Sequence, residues 1–241
     1  MIGIIGGTNI LEIEVLYDVK ERIVETPYGV AEVDLGFIDG IEVVLIQRHG
    51  KKQNKPPHVI NHAANFYAFK KLDAKYVIGM GSVGCLKEEI ELPALIVPDD
   101  YIDFYSGITI FNDKLIHITP GFSEDVRKAL ISVGKDRNLI EKGVYFQTRG
   151  PRLETKAEIR VIKNWADCVG MTAASEATIA KELGLEYGVI CTMDNYAHGI
   201  KGEVIDYEEI RRRARKNAGM CLEIVGKAVK VIWDEYINKK Y

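Results

Sequence analysis

The sequence predicts an α/β fold, a single domain over residues 1–241 with a mixed central β-sheet flanked by helices. Three observations carry that prediction. Short runs rich in β-branched residues recur along the whole chain, and beyond residue 47 they alternate with helical stretches. Before that point two strand-like runs meet at Asp39-Gly40, a hairpin signal, so the sheet is mixed rather than purely parallel. Finally, three apolar runs in the first third each stop at small or phosphate-seeking residues. These are Ile2–Ile5 before Gly6-Gly7-Thr8, Val43–Ile46 before Gln47-Arg48-His49-Gly50, and Tyr76–Ile78 before Gly79-Met80-Gly81-Ser82-Val83-Gly84. Three strand ends reach one pocket only if their strands share a sheet.

The elements follow in order. Strands are expected at Gly3–Ile5, Val30–Phe37, Ile41–Gln47, Tyr76–Met80, Ala94–Val97, Gly143–Gln147, Cys168–Gly170 and Tyr187–Thr192. Helices are expected at Ile60–Leu72 after a proline pair, at Ser123–Arg137 behind a serine cap and an acidic first turn, and at Lys156–Trp165 behind Thr155. Two more follow, Ser175–Leu183 stopping at Gly184 and Tyr207–Trp233 after Asp206 as a cap. Asp99–Asn112 reads as a long polar-aromatic connection, long enough to cover a site.

Bulk properties narrow the function. A chain of 241 residues with 47% hydrophobic and 28% charged residues suits a soluble globular protein with one large core. A formal charge of −3 gives no overall field for nucleic acid or an anionic membrane. No apolar run reaches the length of a membrane span, and Met1 leads directly into a strand without a basic flank, so a cytoplasmic protein is expected. Arg211–Arg213, Arg215 and Lys216 follow Glu203, Asp206, Glu208 and Glu209, with no interleaved aromatics; a solvated helix face fits them better than a nucleic-acid surface. Cys85, Cys168, Cys191 and Cys221 lack metal or redox spacing and are expected as buried free thiols rather than a pair such as Cys85–Cys191.

The chemistry-bearing residues sit at strand ends. Glycine admits backbone N–H groups to an anion, a hydroxyl donates, and a guanidinium offers a planar fork. Alone, Arg48 would serve as an ion-pair partner and His49 as a core histidine; together, directly after a strand, they point to an anion site. Val169–Glu176 adds a strand-to-helix junction where a helix N-terminus is expected to meet an anion. Phe146–Thr155 and Ile190–Gly199 are two further strand ends rich in polar groups.

Taken together, I-I-G-G-T at the start, T-P-Y-G at Thr26–Gly29, R-H-G, P-P-H-x-I-N at Pro56–Asn61, G-x-x-G-x-L-x-E-E at Gly81–Glu89, G-P-R-x-E-T and M-T-x-x-x-E stand in an order that is specific where each piece alone is not. On these motifs the chain resembles the trimeric purine nucleoside phosphorylase and methylthioadenosine phosphorylase family over nearly its whole length. The resemblance implies a phosphorylase/hydrolase-like fold and a homotrimer or a dimer of trimers. It implies inorganic phosphate as co-substrate, with no cofactor and no metal. The phosphate site it implies is the Thr8 hydroxyl, Arg48 and His49, the backbone at Ser82 and the Thr172 hydroxyl, with Met171 against the ribose. Where the methylthioadenosine enzymes carry threonine before Ser82, this chain has Met80-Gly81, which leaves more of the task to backbone N–H groups.

At the base, the family's 6-aminopurine enzymes carry aspartates at a strand end, and its 6-oxopurine enzymes an asparagine with a glutamate. Here Asn195 and Ala197 replace the two aspartates and Glu154 matches the glutamate, so the oxopurine branch that acts on 5′-methylthioinosine is the one resembled. Asp194 is the confounding neighbour: a slip of one residue would bring a carboxylate into the site. At the 5′ end, Tyr207 and Ile210 match positions that either pack against a methylthio group or bind a 5′-hydroxyl. The expected reaction is phosphorolysis of inosine, guanosine or 5′-methylthioinosine in purine salvage. The alternatives are a methylthioadenosine phosphorylase with an unconventional base site, and a purine-nucleoside binder without turnover.

Overall fold

A computed structural model of the chain describes residues 1–7, 16–202 and 207–238, with Tyr207 in its backbone only. Among these residues eleven strands form one branched sheet. Its first arm runs β2 (Tyr17–Thr26), β3 (Gly29–Ile38), β4 (Ile41–Gln47), β1 (Ile2–Gly6) and β5 (Tyr76–Cys85). The hairpins β2–β3 and β3–β4 are antiparallel, the latter turning at Asp39 and Gly40, both with positive φ. Strands β4, β1 and β5 are parallel.

At β5 the sheet divides. One flank continues into β11 (Glu186–Tyr196), β6 (Ala94–Ile96) and β8 (Leu139–Ile140). The other continues beyond the end of β1 into β10 (Cys168–Gly170), β9 (Val144–Gln147) and β7 (Asp100–Asp103).

Alternation along the central strands feeds two cores. Ile2, Ile4, Val43, Leu45, Tyr76 and Ile78 face one way, toward α2 (Glu124–Gly134) and α5 (Tyr207–Ile232), where Leu130, Ile224, Val225 and Val229 are buried. Ile5, Val44, Ile46 and Val77 face the other, toward α1 (His62–Lys71) and α4 (Ala173–Leu183) through Phe66, Phe69, Ile179 and Leu183. A smaller cluster seats α3 (Lys156–Ile162) through Ile159 and Ile162 on Phe146 and Val169.

Three strands were not expected. β2 has exposed residues at nearly every position and lacks the two-residue alternation of a half-buried strand; β8 is only two residues long. β7 takes up the first part of the connection at 99–112, too short and acidic to read as a strand. Two expected strands run further than supposed, β5 to Cys85 and β11 to Tyr196. β5 carries on through Gly79–Gly84, where the glycines admit neighbours: a side chain at Gly79 would collide with the Tyr187 hydroxyl, and one at Gly81 would lie 3.0 Å from Cys191 Sγ. The helices match to within a few residues. Thr155 and Glu158 form a reciprocal capping box on α3, and α4 stops at Gly184 in the left-handed region, φ 74°. Ser123 stands at the N-cap of α2 as expected, but its hydroxyl makes no cap bond and is buried without a partner. Asp206 lies outside the described residues. All four cysteines are buried and free.

Candidate active site

Gly6 stands opposite both Gln47 and Met80, so β4 and β1 end at one level while β5 passes beyond them. β10 joins β5 only at Gly84 and Cys85. Between these partners, Gly81–Val83 has no strand on that flank. The Met80 carbonyl is turned to that flank, where it accepts from Arg48, and the Cys85 carbonyl to the other, where it accepts from Ala197. Alternation therefore aims the Ser82 N–H and C=O into the break. A cavity of about 490 Å3 opens there. Gly7, Arg48, His49, Ser82 and Thr172 line it, as do Glu154, Met171, Asn195, Ala197 and Ile210. Thr8 lies outside the described residues, as does the side chain of Tyr207.

Arg48 is buried, and four of its five N–H groups are engaged by the protein. Nε donates to Glu176 Oε1 at 2.6 Å and Nη2 to Oε2 at 3.0 Å; Nη1 donates to the Met80 carbonyl and Nη2 also to that of Ile5. One Nη1 hydrogen remains. Burial opposes the guanidinium charge, but Glu176 outweighs it and holds the pKa above its ordinary value. The ion-pair fate of Arg48 and its place in the cavity wall thus coexist. Glu176 also accepts from the Tyr187 hydroxyl at 2.6 Å.

His49 Nδ1 lies 2.8 Å from the Lys55 carbonyl, so in the neutral ring Nδ1 carries the hydrogen and Nε2 the lone pair. Burial lowers its pKa, with Arg48 adding to the effect and the Lys55 carbonyl opposing it. Behind this pair His62 is buried with Nδ1 unpartnered, 3.9 Å from Glu176 Oε1. Burial first, then Arg48 and His49, lower its pKa to about 3.

The N-terminus of α4 is occupied from within. The Tyr145 hydroxyl accepts from the N–H groups of Thr172 and Ala173, and Gln147 Oε1 accepts from those of Ala174 and Ser175. All four orphan donors of the first turn are thereby engaged. The expected meeting of helix end and anion is replaced by an internal cap. Thr172 makes no side-chain cap bond, which leaves its hydroxyl for the cavity.

Along β11 the strand register separates two neighbours. β11 bulges between Met193 and Asn195, and Asp194 is the extra residue. Its carboxylate is buried: Oδ2 accepts from Ser82 and Thr192 hydroxyls, each at 2.6 Å, and Oδ1 from Asn217 Nδ2 at 2.7 Å. Asp194 does not line the cavity, whereas Asn195 does. Asn195 Nδ2 gives one hydrogen to the Tyr196 carbonyl, which leaves its second N–H and its Oδ1. Glu154 is buried at the cavity wall, with Oε1 accepting from the Thr148 hydroxyl at 2.5 Å. Met171 packs its sulfur over Gly150, whose φ of 64° needs glycine.

Several contributors went unread in the sequence. Gln53, Asn54 and Lys55, just past the arginine-histidine pair, line the cavity, as do Arg211 and Ala214 of α5. The sequence marks Arg211 only as part of a solvated helix face; its position one residue beyond Ile210 is the available signal. Tyr145 and Gln147, two apart on β9, share one strand face, the only hint of their joint capping role.

The sequence pattern of the phosphorylase superfamily matches residues 1–230. A probable 6-oxopurine nucleoside phosphorylase of Archaeoglobus fulgidus is 66% identical over 242 residues, covering 99% of this chain and 100% of the relative. A probable S-methyl-5′-thioinosine phosphorylase of Methanocaldococcus jannaschii is 41% identical over 93% of this chain and 90% of its own length. Among solved structures, methylthioadenosine phosphorylase from Schistosoma mansoni in complex with adenine is similar with a TM-score of 0.92 at 25% identity, covering 99% of this chain and 93% of that one.

Proposed function

The chain belongs to the phosphorylase superfamily and is an enzyme, and from that premise we propose that it cleaves 6-oxopurine nucleosides with inorganic phosphate. The substrates are inosine, guanosine and 5′-methylthioinosine, and the products the free base and ribose or 5-methylthioribose 1-phosphate, as in purine salvage. The single observation that carries this reading is the placement of Glu154 and Asn195 on one cavity wall while Asp194 is bonded away from it. A 6-oxopurine offers N1–H to a carboxylate and O6 to an amide N–H; adenine offers a lone pair at N1 and an amino group at C6.

Phosphate sits at the break in the sheet, with the Ser82 N–H, the Thr172 hydroxyl, the remaining Nη1 hydrogen of Arg48 and the Thr8 hydroxyl as donors, and with His49 Nε2 accepting from a phosphate hydroxyl. No metal takes part. A phosphate oxygen bonds to C1′ as the C1′–N9 bond breaks, and the electron pair of that bond passes to the purine. Asn195 stabilises the charge arriving at O6 and N7 by donating its N–H. Because Glu176 balances the Arg48 charge, neutral donors carry more of the phosphate's placement than an open guanidinium would.

The protein is a homotrimer or a dimer of trimers in the cytoplasm. Phe104, 68% exposed, and Trp165, 52% exposed, stack edge-on with ring centres 6.3 Å apart, an apolar patch suited to a subunit contact. The deciding experiment is a panel of inosine, guanosine, adenosine, methylthioinosine and methylthioadenosine, each with and without phosphate. Phosphate-dependent cleavage confined to the oxopurines is expected. Full-rate cleavage without phosphate, or equal rates on methylthioadenosine and methylthioinosine, overturns the reading.

A further inference from the structure

Thr148 holds one oxygen of the Glu154 carboxylate. Its hydroxyl donates to Oε1 at 2.5 Å, and Thr148 is not part of the cavity wall, so that oxygen is tied to a group behind the wall. Glu154 itself is buried and lines the cavity. A carboxylate that offers both oxygens side by side suits two parallel donors. One whose first oxygen is engaged and whose rotation is fixed presents chiefly the second.

The 6-oxopurines differ in what they bring to that edge. Hypoxanthine has one donor, N1–H, with C–H at C2. Guanine has two adjacent donors, N1–H and the 2-amino group, which pair best with two unengaged oxygens; with Oε1 already accepting from Thr148 and held by it, the second donor meets a weaker and less well-aimed acceptor. Resting on the proposed role of Glu154 as the acceptor for N1–H, we infer that Thr148 is a positioning residue that selects hypoxanthine nucleosides, those with an unsubstituted C2, over guanine nucleosides.

The test compares kcat/KM for inosine and guanosine in the wild-type enzyme, Thr148→Val, Thr148→Ser and Glu154→Gln. The wild type is expected to favour inosine by about ten-fold, the equivalent of one lost hydrogen bond. Thr148→Val, which keeps the shape and removes the donor, should move the guanosine-to-inosine ratio about ten-fold toward guanosine; Thr148→Ser should leave that ratio in place. A proportional loss on both substrates means a merely structural role and overturns the inference, as does a wild type that handles guanosine as well as inosine. Titration calorimetry of the wild type with free hypoxanthine and free guanine is independent of how the variants fold; guanine binding as tightly or more tightly refutes the proposal. If Glu154→Gln leaves the preference for oxopurine over adenine nucleosides untouched, the base-site reading fails and this inference with it. If Glu154→Gln abolishes that preference while Thr148→Val changes no ratio, only the inference falls.

Discussion

Arg48 and Glu176 meet through two parallel hydrogen bonds, Nε to Oε1 at 2.6 Å and Nη2 to Oε2 at 3.0 Å, with both side chains buried. The pair joins the end of β4 to the first turn of α4 and so clamps a wall of the cavity to the helix behind it. Removing one partner leaves a charge buried and unpaired, which costs about 3–5 kcal/mol. Arg48→Ala and Glu176→Ala should each lose that much in urea denaturation. Arg48→Met with Glu176→Met should regain most of it, yet show a raised KM for phosphate. A double variant as unstable as the singles contradicts this.

His62 gives the fold an acid-sensitive point. Its pKa is about 3 in the folded protein against an ordinary value of 6.5. Below pH 6.5 the unfolded chain therefore takes up a proton that the folded one refuses. The stability due to the neutral ring is complete above about pH 6.5 and declines toward pH 3, by at most about 1.4 kcal/mol per pH unit. Urea midpoints at pH 4, 5, 6 and 7 should fall more steeply for the wild type than for His62→Gln. Parallel curves would assign the acid sensitivity elsewhere.

Asp194 should matter for stability and not for base choice. Replacing its carboxylate in Asp194→Ala leaves Ser82, Thr192 and Asn217 without their acceptor, a loss of about 1–3 kcal/mol or more. The ratio of inosine to adenosine turnover should stay within about two-fold of wild type. A variant that gains or loses adenosine selectivity would return Asp194 to the base site.

Asn195→Asp should do the opposite. A carboxyl at that position accepts from a 6-amino group and, when protonated, donates to N7. Adenosine or methylthioadenosine cleavage should rise as the pH is lowered from 7.5 to 5.5, with inosine turnover falling. A variant inactive on every nucleoside at every pH would count against a base contact.

The exposed aromatic patch bears on assembly. Phe104→Glu places a charge on a surface that the proposed trimer buries. Sedimentation equilibrium should then show a lighter species than the wild type at micromolar concentration. An active wild-type monomer at that concentration excludes the trimer.

The three parallel strand ends were legible because β1, β4 and β5 are buried on both faces and punctuated by glycine and charge. The division between Asp194 and Asn195 was not. A bulge depends on how β11 meets β5, and a single strand carries no trace of that pairing. The cap on α4 was hidden for a similar reason: Tyr145 and Gln147 reach the helix from β9, some 27 residues away along the chain. Arg48 shows the limit most clearly. Its place after β4 marked it, but only the fold reveals that Glu176, 128 residues later, takes two of its hydrogens and balances its charge. Charge on a strand end can be read locally; its ownership cannot.

The break beside Gly81–Val83 would make a phosphate bound there, as proposed, a stand-in for a strand. Among the described residues, β5 is the only strand that touches both β1 and β10 on one flank and β11 on the other, so it is the seam along which the arms of the sheet are sewn. Where neither β1 nor β10 stitches it, a bound phosphate accepting from the Ser82 N–H would supply the missing stitch. Occupancy should then slow amide exchange at Ser82 and raise the melting temperature in proportion to the logarithm of phosphate concentration, so that substrate fastens the seam it opens onto.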